Sequence, residues 1–285
     1  MEKRILGKTN EKLSVIGFGG IVVMNETAKD AARFVSKAID RGINYFDVAP
    51  QYGNAQEMLG PALKPYRSSV FLSCKTLERT KEGARRELED SLKKLKTDHF
   101  DLYQFHSVIT LDEVKKIMGP GGAFECFLEA RDKGLARFLG FTAHSEEAAI
   151  AMMDLHDFTS VLFPFNWALW FKDSYGPAVL GKASSKGMGI LALKALARGA
   201  WGASEKRIWN KCWYAPVDTF EEASAGLRFT LSLPVTAAVS PGHAELLWLA
   251  CDIADNFTPI STEELEALKA KSGNIETLAE GLKVN

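Results

Sequence analysis

From Ser14 onward, short apolar runs alternate with longer stretches in which apolar residues recur every three or four positions. A short apolar run bounded by turn residues reads as a strand buried on both faces, and the longer period reads as a helix with one apolar stripe. Repeated alternation of the two predicts strand-helix units laid side by side in a parallel sheet. Strands are expected over 14–18, 43–47, 70–75, 101–106, 138–142, 160–164, 189–193 and 235–240. Helices are expected over 28–41, ended by Gly42 as a left-handed cap, over 81–95 with a charged, solvated face, and last over 262–272.

Eight such units closing on themselves make an α/β fold, a (β/α)₈ TIM barrel, in which functional groups sit at the carboxyl ends of the strands. The residues before Ser14 read as a β-hairpin around Lys8-Thr9-Asn10, placed to cap the opposite mouth. The segment 195–218 is too long for an ordinary strand-to-helix loop and is expected to form a lid or pocket wall. After residue 272 little chain is expected to reach back over the mouth.

Composition narrows the partners. With 285 residues, 46% hydrophobic and 25% charged, the chain reads as one barrel domain over 1–285. A net charge of -1 without a lysine or arginine run argues against nucleic acid and against an anionic membrane surface. The amino terminus carries charges where a signal peptide needs an apolar stretch, and no run approaches the ~20 apolar residues of a membrane span. The four cysteines, Cys74, Cys126, Cys212 and Cys251, have no paired spacing and read as reduced thiols of a cytoplasmic protein. No histidine pair has metal-ligand spacing, so the expected partner is a small molecule and no metal is expected.

Four ionisable residues lie at or just past successive strand ends: Asp47 and Tyr52 in FDVAPQYG, Lys75 in VFLSCKT and His106 in FDLYQFH. A tyrosine holds its proton at neutral pH, and a neighbouring ammonium stabilises its phenolate, which is expected to lower its pKa. Lys75 can supply that ammonium and Asp47 can keep it charged. His106, neutral and donating one ring proton, would hold a substrate carbonyl oxygen against Tyr52. The set is suited to a general acid aimed at a carbonyl, with hydride from a nicotinamide. GFGG at 17–20 lacks the order and following helix of a Rossmann phosphate turn and reads as a tight turn after the first strand.

These residues resemble the aldo-keto reductase superfamily. The family pattern after its second strand, F-D-T-A-x-x-Y-G followed by glutamate and L-G, is matched by Phe46, Asp47, Ala49, Tyr52 and Gly53, with Val48 at the threonine position, then Glu57, Leu59 and Gly60. Asp101 to His106, the strand-ending Lys75, and Lys133-Gly134 before Leu139-Gly140-Phe141-Thr142 resemble its later segments. The resemblance implies a catalytic tetrad of Asp47, Tyr52, Lys75 and His106 that reduces aldehydes or ketones with a nicotinamide cofactor, usually the phosphorylated one.

The implied cofactor side departs from the common pattern. Thr142 and Ala143, followed by His144, stand where many members have serine and asparagine for the carboxamide; Leu162 aligns with its glutamine and Leu193 with the stacking tyrosine, ahead of Lys194, Ala195 and Leu196. After the eighth strand come Gly242 and His243, without the arginine many members place near Ala244, and Asp252 aligns with the asparagine that faces the adenine. The implied cofactor contacts are Gly20, Ile21, Thr142, His144, Leu162, Leu193, Lys194, Leu196, Gly242, His243 and Asp252. They would hold NADP, and NAD is also compatible. Gly242 and the amino end of the next helix can bind a phosphate through backbone N–H groups; Lys194 and Arg198 are further cations, or solvated loop charges.

Five of the six tryptophans, Trp167, Trp170, Trp201, Trp209 and Trp213, fall after strand six or seven, with Phe163, Phe165 and Phe171 nearby. They either line a pocket for an aromatic or sugar-like substrate or cement the long segment onto the barrel. Two other readings keep the barrel: a cofactor-binding regulatory protein with little turnover, and a redox-neutral lyase or epimerase that retains its cofactor.

Overall fold

The computed structural model describes residues 1–202, 204–275 and 278. The chain opens with a hairpin, β1 (Lys3–Ile5) and β2 (Lys12–Ser14). Eight strands then close a parallel barrel: β3 (Ile16–Gly19), β4 (Tyr45–Asp47), β5 (Phe71–Thr76), β6 (Phe100–Val108), β7 (Ala136–Ala143), β8 (Ser160–Pro164), β9 (Gly189–Leu193) and, after a short antiparallel pair β10 (Ala197–Gly199) and β11 (Ala215–Pro216), β12 (Ala237–Val239). Each expected strand is present, and the order around the barrel is β12-β3-β4-β5-β6-β7-β8-β9. β12 is shorter than the expected run of 235–240, and the residues flanking it still bond to its neighbours, Thr236 N donating to Ile190 O at 2.7 Å and Ser240 N to Gly17 O at 2.9 Å.

The helices α1 (Ala28–Asp40), α2 (Ala55–Leu63), α3 (Lys81–Leu95), α4 (Leu111–Met118), α5 (Ala123–Asp132), α6 (Glu146–Leu155), α7 (Trp167–Lys172), α8 (Pro177–Lys186), α9 (Phe220–Ser232), α10 (Ala244–Asp255) and α11 (Thr262–Ser272) accompany the barrel. α1 begins where the Thr27 side chain accepts from Asp30 N and ends before Gly42, whose φ of 84° is the left-handed cap that glycine permits. α11 starts with a capping box between Ser261 and Glu264. The tail expected after it lies, from residue 276 and apart from Leu278, outside the described residues.

The hairpin caps the amino-terminal mouth of the barrel, as expected. Leu6 and Leu13 are fully buried against Tyr45, Phe71, Leu102, Leu162, Leu191 and Ala237, side chains of the barrel strands. Arg4 ties the cap down, donating to the carbonyls of Leu231 at 2.8 Å and Val235 at 3.0 Å. Gly7 is required twice over, since its φ is 52° and an added Cβ would lie 2.3 Å from Gly189 N. With that end filled, a cavity lies at the opposite mouth, where the strands end.

The segment 195–218 folds over the carboxyl-terminal mouth. β10 and β11 pair at its base, and Trp201 Nε1 donates to Cys212 O at 2.9 Å. Its far part is latched to the first strand-to-helix connection by Lys211, which donates to Val22 O at 3.1 Å and Glu26 Oε1 at 2.6 Å.

Candidate active site

Side chains of Asp47, Lys75 and His106 reach one cavity because β4, β5 and β6 are adjacent and in register, Asp47 opposite Ser73 and Lys75 opposite Gln104. Tyr52 joins them from the turn that precedes α2. The cavity, about 300 Å³, is also lined from the ends of β7, β8, β9 and β12 and from the lid.

Asp47 is the most heavily bonded group. Its Oδ1 accepts from Lys75 Nζ, and its Oδ2 accepts from Tyr45 Oη at 3.3 Å, Ser73 Oγ at 3.0 Å and Gln104 Nε2 at 3.1 Å. Gln104 also donates to Ser73 Oγ at 2.7 Å, so two of the three supports hold each other. Burying a carboxylate and an ammonium this deeply, 2% and 1% exposed, is tolerable only with such satisfaction. Burial opposes the Lys75 charge, but Asp47 and Tyr52 beside it carry its pKa above the ordinary lysine value.

Lys75 Nζ lies 5.2 Å from the centre of the Tyr52 ring. Burial, joined by the Asp47 charge, raises the phenol's pKa even though Lys75 pulls it down. This differs from the lowering that a neighbouring ammonium alone predicts. The reason is that removal from water penalises the phenolate more than the Asp47-neutralised lysine stabilises it. Tyr52 is therefore held in its protonated form.

His106 meets the Tyr52 ring edge-on, with centroids 5.8 Å apart. Burial, together with Lys75, Arg79 and Lys194, holds its pKa well below the ordinary histidine value, so the ring is neutral as expected. Its Nδ1 is 3.0 Å from Gln51 Oε1. His106 and Ser107 form a bulge: Phe105 pairs with Phe141 but Val108 with Ala143, so β6 carries one residue more than β7. Ser107 takes a left-handed φ of 54°, and its N donates to Thr142 Oγ1 at 2.7 Å. Arg79 Nη2 donates to the carbonyls of His106 at 2.7 Å and Ser107 at 3.1 Å. Three contacts thus hold an otherwise unfavourable backbone turn that aims the imidazole.

Across the cavity, Lys194 Nζ lies 3.0 Å from His144 Nε2, and His144 Nδ1 lies 3.0 Å from Ser107 Oγ. Burial lowers the Lys194 pKa to about 7. His144 is pushed well below its ordinary value by burial, Lys194 and His106. Lys194 also has left-handed backbone, φ 63°, steadied by Asn166 Nδ2 donating to Lys194 O at 3.1 Å and Ala197 O at 2.8 Å.

Of the residues implied for the cofactor, Ile21, Thr142, His144, Leu162, Leu193, Lys194 and Gly242 line this cavity, although Thr142 spends its hydroxyl on Ser107. Four do not line it. Gly20 packs on Val48, where an added Cβ would come within 2.7 Å of Val48 Cγ2. Leu196 is 1% exposed and belongs to the main core. His243 faces the lid, accepting from Lys211 N at 3.1 Å and meeting the Trp209 ring at 5.1 Å. Asp252 sits roughly 12 Å along α10 from Ala244, and its carboxylate pairs with Arg41 at 2.9 Å. Arg198 pairs with Glu205 at 2.6 Å and stays within the lid.

Of the five tryptophans, Trp213 alone lines the cavity; it is 59% exposed and its ring is 6.4 Å from that of Tyr52. Trp167 and Trp170 pack with Phe229, and Trp201 and Trp209 hold the lid together through Cys212 O and Asp218. The cementing role dominates. Gln51, Ser107 and Ser240 also line the cavity and were not expected there, while Lys211 and Tyr214 reach it from the segment expected to be a lid or pocket wall. Gln51 had a signal, lying inside the matched FDVAPQYG segment, and the length of 195–218 signalled the lid though not which of its residues reach inward; Ser107 had none, because a bulge is a tertiary event.

A nicotinamide dinucleotide carries an aromatic ring and a dianionic pyrophosphate, and the far side of the cavity suits both. Leu162, Leu193 and Ile21 offer apolar contact, while Lys194 supplies a positive group. α10 begins two residues after Gly242 without any side chain capping its first N–H groups.

Polar, ionisable groups gathered at the carboxyl ends of barrel strands mark a barrel of the enzyme type. A profile of the aldo/keto reductase family matches residues 15–236. The chain is 24% identical to YqkF, an uncharacterised oxidoreductase of Bacillus subtilis, across 95% of this chain and 96% of that one. It is 28% identical to L-galactose dehydrogenase of Arabidopsis thaliana across 70% of this chain and 66% of the relative. Aldo-keto reductase AKR11C1 of Bacillus halodurans superposes with a TM-score of 0.74 at 21% identity, covering 95% of this chain and 96% of that chain. This chain belongs to the aldo/keto reductase family, and so to the oxidoreductases that use nicotinamide cofactors on small carbonyl compounds. Among the described residues, no helix is long and apolar enough to cross a membrane.

Proposed function

We propose that this protein is a cytoplasmic carbonyl reductase in which Tyr52 is the general acid. The observation that carries the reading is the buried Asp47–Lys75 pair with the Tyr52 ring 5.2 Å from the ammonium. A phenol whose pKa is raised keeps its proton until a carbonyl oxygen gains negative charge beside it. Proton transfer then leaves a phenolate next to Lys75, which is where a fixed ammonium lowers the energy of that state. Asp47 acts through Lys75, keeping it charged and preventing it from moving. His106, being neutral, hydrogen-bonds the substrate without repelling Lys75.

The bound dinucleotide supplies the hydride. Lys194, His144 and the open amino end of α10 would hold it, with Leu162, Leu193 and Ile21 against its ring. NADP is the dinucleotide that the family resemblance favours. A second reading, NAD, is favoured by one observation: the hollow beside α10 is lined by Glu26 and Glu245, and its lysine, Lys211, is already paired with Glu26. A 2′-phosphate would meet two carboxylates there. Kinship to L-galactose dehydrogenase supports a sugar-like carbonyl substrate over an aromatic one, as does the presence of a single tryptophan, Trp213, in the cavity wall.

Fluorescence titration with NADPH and NADH side by side tests the reading. Saturable binding of either is expected, and the tighter one is the working dinucleotide. Dissociation constants above about 1 mM for both would overturn the proposal.

A further inference from the structure

An unbroken strand sends consecutive side chains to opposite faces, yet His106 and Ser107 both line the cavity. The bulge in β6 makes this possible, through the left-handed backbone at Ser107. That conformation is disfavoured for any residue with a Cβ, so something must hold it.

The strongest hold lies outside the cavity wall. Arg79 is buried, and its Nη2 donates to the carbonyls of His106 and Ser107 and to Glu113 Oε1 at 2.9 Å, while its Nε donates to the same carboxylate oxygen at 3.1 Å. The other oxygen of Glu113 accepts from Ile109 N at 2.9 Å and Thr110 N at 3.0 Å. One ion pair thus takes the carbonyls on one side of Val108 and the N–H groups on the other. The stretch 106–110 is bracketed at both ends by charge-assisted bonds, which are the strong ones in a buried setting. An arginine fits the task because its planar fork presents several donors in fixed directions. The pair is itself anchored. Glu113 is the third residue of α4 and forms a capping box with Thr110, Ala123 N donates to Arg79 O at 3.0 Å, and Thr80 bridges to Gly122 just before α5.

We propose that Arg79, backed by Glu113, is a positioning residue: it clips 106–110 so that His106 and Ser107 stay turned into the cavity together, an effect on turnover that rests on the carbonyl-reductase reading of that cavity. Neither Arg79 nor Glu113 lines the cavity, so both act only through the backbone they hold.

Hydride transfer to glyceraldehyde, the smallest sugar-like aldehyde, can be followed in a single turnover at saturating NADPH or NADH. In Arg79→Ala the rate is expected to fall about 10- to 100-fold, with both dinucleotide dissociation constants within about threefold of wild type, because a small misplacement of a reacting group acts on the chemical step. Arg79→Lys keeps the charge and one donor direction and should recover part of the loss. Glycine adopts the left-handed conformation freely, so in a Ser107→Gly background the further loss on removing Arg79 should shrink to less than about threefold. An equal loss in both backgrounds would overturn the proposal. Glu113→Gln keeps the shape and weakens the grip on Arg79; it should shift the rate in the same direction by less, and it serves if Arg79→Ala does not fold. Amide hydrogen exchange of the full chain reads the clip without turnover: Ile109 and Thr110 should exchange about tenfold faster or more in Arg79→Ala, with β4 and β5 unchanged. Unchanged exchange there would also overturn the proposal. Absence of wild-type turnover across a panel of aldehydes and ketones would instead overturn the reductase reading, and the exchange rates would still decide the clip.

Discussion

Around Asp47 four donors converge on one carboxylate, and each of the donors on Oδ2 is itself a side chain of β4, β5 or β6. Past β7, β8 and β9 the cavity wall is different in kind: leucines at Leu162 and Leu193, one lysine held by one histidine, and a lid latched by Lys211. On the proposed reading the first region delivers a proton along a fixed line, which suits groups locked by hydrogen bonds in a dry network. On the same reading the second grips a large ligand and releases it, which apolar contact and a few movable charges can do with many different side chains. Substitutions in the first region should therefore appear in the chemical step, and those in the second in dinucleotide affinity.

The sharpest way to break that distinction is Tyr52→Phe. Loss of the acid is expected to lower kcat by about 10²- to 10⁴-fold, with the NADPH and NADH dissociation constants within about twofold of wild type in the same titrations; unaltered turnover would remove Tyr52 from the chemistry. Asp47→Ala leaves the Lys75 ammonium buried without a partner and is expected to cost about 3–5 kcal/mol of stability, read as a lowered urea midpoint. A midpoint equal to wild type would mean that the proton side is not locked as described.

On the opposite side the effects should be smaller and should follow pH. Lys194, with its pKa lowered to about 7 by burial, is an ammonium below that pH and an amine above it. Its attraction for an anionic dinucleotide is fully present in acid and is lost as pH rises, so the dissociation constant should increase up to about tenfold between roughly pH 6 and 8. Lys194→Met should bind with no such trend, and an identical trend in that variant would assign it elsewhere. Lys211→Ala should release the lid from Glu26 and speed dinucleotide dissociation a few-fold, in keeping with a partly exposed ion pair of about 1 kcal/mol. Stopped-flow release measured against wild type would show it.

The same contrast governs what the chain discloses before folding. Strand ends are local events: a short apolar run stopped by Asp47, Lys75 or His106 marks both the element and the mouth of the barrel, and the eight units follow from repetition of that rule. Tyr45, Ser73 and Gln104, which hold Asp47, sit inside the same runs; Tyr45 shares β4 with it, whereas Ser73 and Gln104 reach it from β5 and β6, a convergence that only the closed barrel creates. Asp252 and Leu196 occupy the places that alignment assigns to cofactor contacts, yet one pairs with Arg41 and the other is packed in the core. A tryptophan-rich segment could equally be pocket or cement, and only the docked lid separates Trp213 from Trp201 and Trp209.

The hairpin under the barrel bears on the order in which the molecule assembles. Arg4 finds its carbonyl partners 227 and 231 residues further along the chain, and Leu6 and Leu13 are covered only when strands as distant as β12 are in place. Contacts of such separation carry a large loop-closure cost and slow the search for the native state. The hairpin is thus among the last segments to lock, and closing the barrel and seating its cap become a single late event.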